Sequence, residues 1–495
     1  MPLVVMAFGA YAAGLLAGFG GVVVVGMGAA GVGGVLAAAF RRWSHAALAL
    51  ALAAGALHGT QALHGDRRCV RTVRADGFAT VRLASDLSPA TPAWGRVERR
   101  GCGVRMRIRS RTTSAAAGST VAVSGSFARR GASLELRQGT VRVLRPPGRL
   151  ARWRAWTGRR IDALYGTDAP LARALLLADA DDIDRAVRDR FADAGIIHML
   201  SVSGLHVGII AGAVRALAGA ARAGALGADL VSLGVTLAFV LFIGAPPPAV
   251  RSAGMLALGV AARLRQRPTA PWGIWAVSCA VPLVEPRVVL DLGWQLSVAG
   301  MAGLLASGAV SRRVTASLRG WRRTVVESMV ATTVASAATA PLVAWVFGRV
   351  SLAAVVTNVV AAPLFGLAQP LLFASLVALP ARAVASLLAE AARSALALID
   401  LVARGGAALP LAVVRAEPDA ATALLLGIAA LAGVVALVGR WRRRPALVSL
   451  AALALATWWP TLRPGPGRLE LHAIDVGQGD ALALRSPGGR WFLVD

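Results

Sequence analysis

Lysine is missing from all 495 residues, and the 53 basic side chains are arginine. Chemistry that needs a lysine, whether a Schiff base or a phosphate loop ending in Gly-Lys, is thereby excluded. Acidic residues are scarce as well, 25 in all, which leaves a formal charge of +28. No cleavable signal peptide is expected either, because the opening apolar stretch runs into a second one without an Ala-x-Ala site and a polar exit. Of only three cysteines, Cys279 lies in an apolar run, while Cys69 and Cys102 fall in the one long polar segment near the N-terminus. A Cys69–Cys102 disulfide fits if that segment faces an oxidising compartment, and two unpaired thiols are the other reading.

What the chain has in excess is apolar length. Hydrophobic residues make up 56%, arranged in long Ala/Val/Leu/Gly runs, so the expected class is a polytopic α-helical membrane protein of roughly eight to eleven spans. Residues 1–64 hold apolar length for about three spans, with Arg41-Arg42 placed inside by the positive-inside rule. Residues 65–150 change character. "FATVRLA", "VRMRIRS", "TVAVSGSF", "SLELRQG" and "TVRVLRP" alternate with period two between Gly, Pro and Ser turns, the pattern of a small all-β barrel inserted outside the membrane. Arginine far outnumbers acid there, with Arg105, Arg107, Arg109, Arg111, Arg129 and Arg130 as candidate contacts. Such a barrel suits a polyanion, as OB-folds hold single-stranded nucleic acid, and a merely solvated basic face stays open beside it.

Residues 151–197 read as amphipathic interfacial helices, and the acids between Asp179 and Asp193 as ion-paired helix surface, since calcium-loop spacing is lacking. From 198 to 460 the apolar runs return. Arginine clusters at 263–267, 312–313, 319–323 and 440–444 all fall inside if the chain re-enters from outside near residue 199, and the stretch 446–459 then carries the C-terminus outside. "GAPPPAVRSAGM" and "TNVVAAPLFGLAQPLL" are broken by Pro and Gly, so irregular backbone is expected there, tolerated only around protein or a water-filled cavity. Residues 467–495 read as strand, Gly-rich turn, strand, Pro-Gly-Gly turn and strand. Ending on Val494-Asp495 implies a chain cut inside a domain.

The stretch from His198 to Gly208, "HMLSVSGLHVG", sets two histidines and two serines at the start of an apolar run. On one helix His198 and His206 would sit roughly 80° apart, with Ser201 and Ser203 one turn from them and Gly204 allowing close approach. A hydrolase site lacks the Gly-x-Ser-x-Gly elbow and an orienting acid. A zinc site lacks ligand spacing and a third ligand. Two readings remain: helix–helix hydrogen bonding, or a polar passage through the membrane. Arg251, Asp291, Gln295, Asn358 and Gln369 add more polar groups than lipid-facing helices need.

"GIIHMLSVSGLHVGII" resembles the central signature of the ComEC competence family, the bacterial inner-membrane channel for DNA uptake. The resemblance continues in order through "PPPAVRSAGM", "VLDLGWQLSVAGMAGLL", "APLVAWVFGRVSLAAVVTNVVAAPLFG" and "LELHAIDVGQGDALAL". Ser201 stands where the family more often has alanine. The resemblance implies an external OB-like DNA-binding domain, a competence-type channel, and the opening of a metallo-β-lactamase-like α/β domain in residues 467–495. It marks His198, Ser203, Gly204, His206, Arg251, Asp291, Gln295, Asn358 and Pro363 as channel-signature positions.

The metal cluster of that last domain, His-x-His-x-Asp-His, has no match here. The expectation is therefore a chain with no catalytic residues, cofactor or metal, the two divalent ions (zinc or manganese) belonging only to a complete C-terminal domain; His472 and Asp475 are not ligands. The implied function is a multi-pass inner-membrane channel for single-stranded DNA in natural transformation. Implied partners are a surface or periplasmic DNA receptor, a cytoplasmic ATPase or DNA-binding motor, the bilayer and further copies of the chain. Two alternatives are a membrane-anchored metallo-hydrolase when full length and a small-solute transporter with the barrel as a cap.

Overall fold

The computed structural model describes residues 3–20, 43–131, 133–202, 204–266, 270–438, 443–462, 467–474, 481–488 and 490–494. Arg41-Arg42, Ser203, Arg267, Arg440, Arg442 and the glycine turn with Asp475 lie outside them.

Helices α1 (Leu3–Phe19) and α2 (Trp43–Asp76) pack backbone to backbone. A Cβ on Gly14 would lie 2.1 Å from the Leu52 carbonyl oxygen, and one on Gly55 would lie 2.1 Å from that of Tyr11. Only glycine allows this approach, and Gly14/Gly18 against Gly55/Gly59 is the small-xxx-small arrangement of membrane helices. Contacts climb together, Tyr11 with Gly55, Leu15 with Gly59 and Gly18 with Thr60. The pair is therefore parallel, with Leu3 and Trp43 at the same end.

Helix α2 runs on past residue 64, where the β-domain was expected to begin, and ends at Gly77 with φ +60°. Its polar second half contains no proline and keeps good helix formers, so the change in polarity at 65 marks the end of apolar length and not of the helix. The barrel follows: β1 (Phe78–Leu83), β2 (Ala93–Val97), β3 (Arg105–Ile108), β4 (Thr120–Arg130) and β5 (Ser133–Arg145), closed in the order β1-β2-β3-β5-β4. All neighbours are antiparallel except β3 and β5. Alternating residues such as Val81, Met106, Ile108, Val121 and Leu134 fill its core. "SLELRQG" and "TVRVLRP" form one strand, because Gly139 crosses Gly125 of β4 where a Cβ on either would meet the other strand's backbone at 2.0–2.1 Å. The glycine there permits close approach and does not mark a turn. Strand β2 was not expected, its five residues following directly on a proline-rich turn. A disulfide joins Cys69 of α2 to Cys102 in the β2–β3 connection.

Helices α3 (Arg149–Tyr165), α4 (Ala169–Leu177) and α5 (Arg185–Asp193) lead into a 3-10 turn, Ile197–Leu200. The expected helix over the acids begins only at Arg185, and its acids mostly pair at long range: Asp189 and Asp193 with Arg349, Asp182 with Arg173. The helical domain continues with α6 (Gly204–Ala220), α7 (Gly224–Phe242), α8 (Pro247–Leu264), α9 (Pro271–Ser278), α10 (Leu292–Val314) and α11 (Gly320–Phe347). A short ladder of β6 (Arg349–Ser351) with β7 (Val413–Arg415) brackets α12 (Ala354–Val377) and α13 (Arg382–Ala407), and α14 (Ala420–Val438) and α15 (Arg443–Leu462) follow. The chain is broken at Gly244–Pro246 as expected, with Gly244 and Ala245 both at positive φ. It is not broken over "TNVVAAPLFGLAQPLL". There α12 is continuous with Pro363 and Pro370 inside it, as membrane helices tolerate when neighbours re-satisfy the freed carbonyls.

The largest core joins α3, α4, α5 and the 3-10 turn to α12 and α13. Helix α13 presents a stripe of small residues, Ala385, Ala389, Ala392, Ala395, Ala403 and Gly406, at helical spacing. Among the described residues, five helical segments are long and apolar enough to cross a membrane: Ala46–Asp76, Gly224–Phe242, Gly320–Phe347, Ala354–Val377 and Ala420–Leu437. These helices mark a membrane protein. The last described strands, β8 (Glu470–Ile474), β9 (Ala481–Arg485) and β10 (Trp491–Val494), form an antiparallel meander.

Candidate functional site

The signature does not lie on one helix. Gly195 turns the chain at φ +75°, His198 follows on the 3-10 turn, Ser201 is extended (ψ 146°), and α6 starts only at Gly204. A residue with positive φ followed by an extended one breaks helical hydrogen bonding, so His198 stays on an exposed turn while His206 enters the helix and is buried.

The turn is clamped from below by the start of α12. Thr357 donates to the Ala194 carbonyl at 2.6 Å, and Ser351 donates to that of Asp193 at 2.7 Å. Arg349 donates to Asp189 at 2.7 Å and to Asp193 at 3.0 Å. The hydrogen bond from Arg349 holds the Asp189 carboxyl below its ordinary pKa. A Cβ on Gly195 would come within 2.4 Å of the Ala354 Cβ, which leaves room for glycine alone.

Three contacts then tie the signature positions across four helices. Gly204 brings α6 against α8, its Cβ position 2.9 Å from the Ser252 hydroxyl. Arg251, the neighbour of Ser252, donates to Ser297 of α10. The His206 ring sets its edge against Phe365 of α12, centroids 6.4 Å apart. The other signature residues bond to groups close by in the sequence, and Gln369, outside the signature, reaches from α12 to α4. Asp291 caps α10 by accepting from the Trp294 amide at 2.9 Å, and Gln295 donates to the Val289 carbonyl at 2.8 Å. Asn358 donates to the Ala354 carbonyl one turn back at 2.7 Å, and Pro363 sits in the helix interior. Gln369 donates to the Leu175 carbonyl at 3.2 Å.

The barrel carries a second constellation. Arg82 of β1 stands directly opposite Arg96 of β2, which stands opposite Arg105 of β3. Cross-strand partners share a face, and all three are exposed, with Trp94 and Arg107 as the next pair on that face. Arg107 pairs on this face with Glu135 of β5, which Arg130 also approaches, and Arg99 pairs with Asp76, while Arg82, Arg96 and Arg105 have no ion pair among the described residues. Glu98 is turned to the Thr120 hydroxyl at 3.5 Å. Arg129 donates to the Gly131 carbonyl, and Arg109 and Arg111 are exposed beyond the end of β3. Of the six arginines expected, only Arg105 belongs to this row. Arg82, Arg96 and Trp94 were missed, although the alternation in "TVRL" and "AWGRV" puts them on one face.

Among the described residues no group of three or more His, Cys, Asp and Glu is placed to hold a metal. His472 lies 3.5 Å from Glu470, whose carboxylate also lies within 4 Å of Arg468 and Arg485. That donor set does not fit a metal pair.

A family model described as Competence protein matches residues 175–443, more than half of the chain and the whole stretch that builds the signature. The chain belongs to the competence protein family. It is also similar to ComE operon protein 3 of Bacillus subtilis (strain 168), 24% identical over 196 residues, which is 39% of this chain and 24% of that protein. The match thus spans about a quarter of that curated relative's length. No solved structure matches. The competence match includes the clamp, α6 to α14 and every signature residue named above, and it leaves out the barrel.

Proposed function

We propose that this competence-family chain takes single-stranded DNA from outside the cell across the bacterial inner membrane during natural transformation. The barrel is an extracytoplasmic, OB-like capture domain, and the helices from the signature turn to α14 form the path inward. The observation that carries the reading is the row Arg82–Arg96–Arg105. Like charges placed directly opposite on neighbouring strands are destabilising, a cost that an anionic ligand relieves. A strand lying across the row would exchange its condensed counterions for three guanidinium groups, and Trp94, 43% exposed, offers a face on which a base can stack. The closed order β1-β2-β3-β5-β4 with one parallel pair supports the OB-like reading, in which this face is the one that binds oligonucleotides.

A polyanion crossing a low-dielectric slab needs hydrated, donor-lined surroundings, and the buried His206, Arg251, Asn358 and Gln369 supply polar groups of that kind. Movement is driven by a cytoplasmic ATPase or DNA-binding motor, because a chain without lysine has no nucleotide-binding loop of the Gly-Lys type. A surface or periplasmic receptor delivers the strand, and further copies of the chain complete the assembly. The meander β8–β10 opens a metallo-β-lactamase-like domain.

The capture step is tested by binding of fluorescent oligothymidylate to the purified chain over a salt series. Affinity should fall steeply with salt, and Arg82→Gln, Arg96→Gln and Arg105→Gln together should flatten the log–log slope by about 2, at ~0.7 for each phosphate no longer neutralised. Binding indifferent to salt, or unchanged in the triple variant, removes the row as the capture site and favours the barrel as a simple cap.

A further inference from the structure

Arg251 is 4% exposed, and no carboxylate pairs with it among the described residues. Its guanidinium has only neutral partners, the Ser297 hydroxyl and the Met255 sulfur at 3.9 Å, and its Nε–H has no acceptor among the described residues. Two further buried donors are in the same condition. The indole N–H groups of Trp275 and Trp294, side chains 8% and 5% exposed, are buried without an acceptor among the described residues. All three belong to one neighbourhood. Trp294 stands one turn before Ser297 on α10, and Trp275 stands one turn before Ser278 and Cys279, where a Cβ on Gly254 of α8, one turn on from Arg251, would lie 3.7 Å from the Ser278 Cβ. Phe8 of α1 touches both indoles, with centroids 6.5 and 6.3 Å away.

Buried donors ordinarily find acceptors, and buried charges ordinarily find counter-charges. Here a full positive charge has one hydroxyl and one thioether as its partners, and three donor hydrogens on the packed helices α8, α9 and α10 have no acceptor among the described residues. The imbalance has a sign, since what is missing is an acceptor bearing negative charge. We propose that Arg251, Trp275 and Trp294 form an anion station inside the helical domain that receives a phosphate oxyanion. Guanidinium and indole N–H are suited to it, because both donate and neither accepts. The station adjoins the signature through the Gly204–Ser252 contact. On the DNA-uptake reading, on which this assignment of the occupant rests, the oxyanion is a phosphodiester of the passing strand; a phospholipid headgroup offers the same chemistry.

Cys279, itself buried, provides the probe, because a reagent has to enter the helical domain to reach its thiol. It is the one free thiol of the chain, since the other two of three cysteines are bonded to each other. In nanodiscs of phosphatidylcholine, Cys279 of the intact chain is treated with an anionic methanethiosulfonate and with its cationic trimethylammonium analogue, with Cys279→Ser as the blank. A station at a positive potential of a few kT predicts modification by the anionic reagent faster by about tenfold or more. Arg251→Gln should bring the ratio to about one. Trp275→Phe with Trp294→Phe, which keeps the rings and removes only the N–H groups, should lower it at unchanged folding.

Protection by inorganic phosphate and by a 20-residue oligothymidylate is expected. Phosphate protecting while the oligonucleotide does not would keep the station and count against the strand as occupant. A ratio that collapses when phosphatidylglycerol replaces part of the lipid would support the station with a headgroup in it. A thiol inert to both reagents, or a cationic reagent as fast as the anionic one in the wild type, would overturn the proposal and leave DNA uptake to be judged by uptake itself.

Discussion

Gly195 shows how much of this site depends on single residues. It combines a positive φ of 75° with a Cβ position 2.4 Å from the Ala354 Cβ and 2.8 Å from the Ser351 hydroxyl, so alanine there meets both a backbone penalty and a clash. Gly195→Ala should destabilise the purified chain by about 2 kcal/mol or more, read as a fall in thermal midpoint. An unchanged midpoint would mean that the turn is free to rearrange. At this scale the sequence was partly legible. His206 and Arg251 stand out as polar residues in apolar runs, and both are buried. The arginine row was not legible by counting charges per segment, because Arg82, Arg96 and Arg105 lie on three strands and meet only once pairing sets the register.

Between elements, the clamp of β6 and α12 on α5 sets the entrance to the signature. Asp189 has its pKa lowered chiefly by the hydrogen bond from Arg349. A carboxyl with a lowered folded value stabilises the fold in full above its ordinary range and loses that contribution as pH falls through the folded value. Hydrogen exchange across residues 185–202 should therefore accelerate as pH drops below about 4, once the intrinsic pH dependence of exchange is subtracted, and Asp189→Asn should flatten the response. No difference between the two proteins would show that the clamp does not rely on this pair. Long apolar helices and alternating strands were readable from period alone. Continuity was not: prolines at 363 and 370 suggest a break, yet α12 passes through both, since the cost of a proline depends on what surrounds the freed carbonyls. The histidine pair failed in the opposite sense, because helical spacing was applied across the extended Ser201 that separates the 3-10 turn from α6.

At the scale of the whole molecule, one arginine joins three parts of the chain. Arg287, in the 3-10 turn before α10, donates to Asp66 of α2 at 2.9 Å, to the Gly101 carbonyl of the barrel at 2.9 Å and to Glu285 at 3.0 Å. Burial opposes its charge, and the bonds to Asp66 and Glu285 outweigh burial, raising its pKa above the usual arginine value. Asp66 also accepts from the Gly103 amide at 2.7 Å, beside the Cys69–Cys102 disulfide. Barrel, α2 and the segment leading to Asp291 thus meet at a single side chain. Arg287→Ala should broaden the distance distribution between spin labels on the barrel and on α10 while oligothymidylate still binds; an unbroadened distribution would mean that the disulfide and α2 fix the barrel alone. The disulfide beside this junction was expected from the sequence, but the arginine pair was not visible there, since Asp66 and Arg287 are 221 residues apart.

Capture and passage are separable in a cell, and the separation tests the central claim. Labelled DNA is offered to cells carrying the full-length gene, wild type or His206→Ala at equal membrane abundance, and surface-bound and internalised label are counted apart. If strands pass through the helical domain, internalised DNA should drop by about tenfold or more, the scale of removing one buried polar interaction, with surface binding unchanged. Internalisation equal to wild type would contradict a role for this residue in the path and leave the buried histidine as a packing residue between α6 and α12.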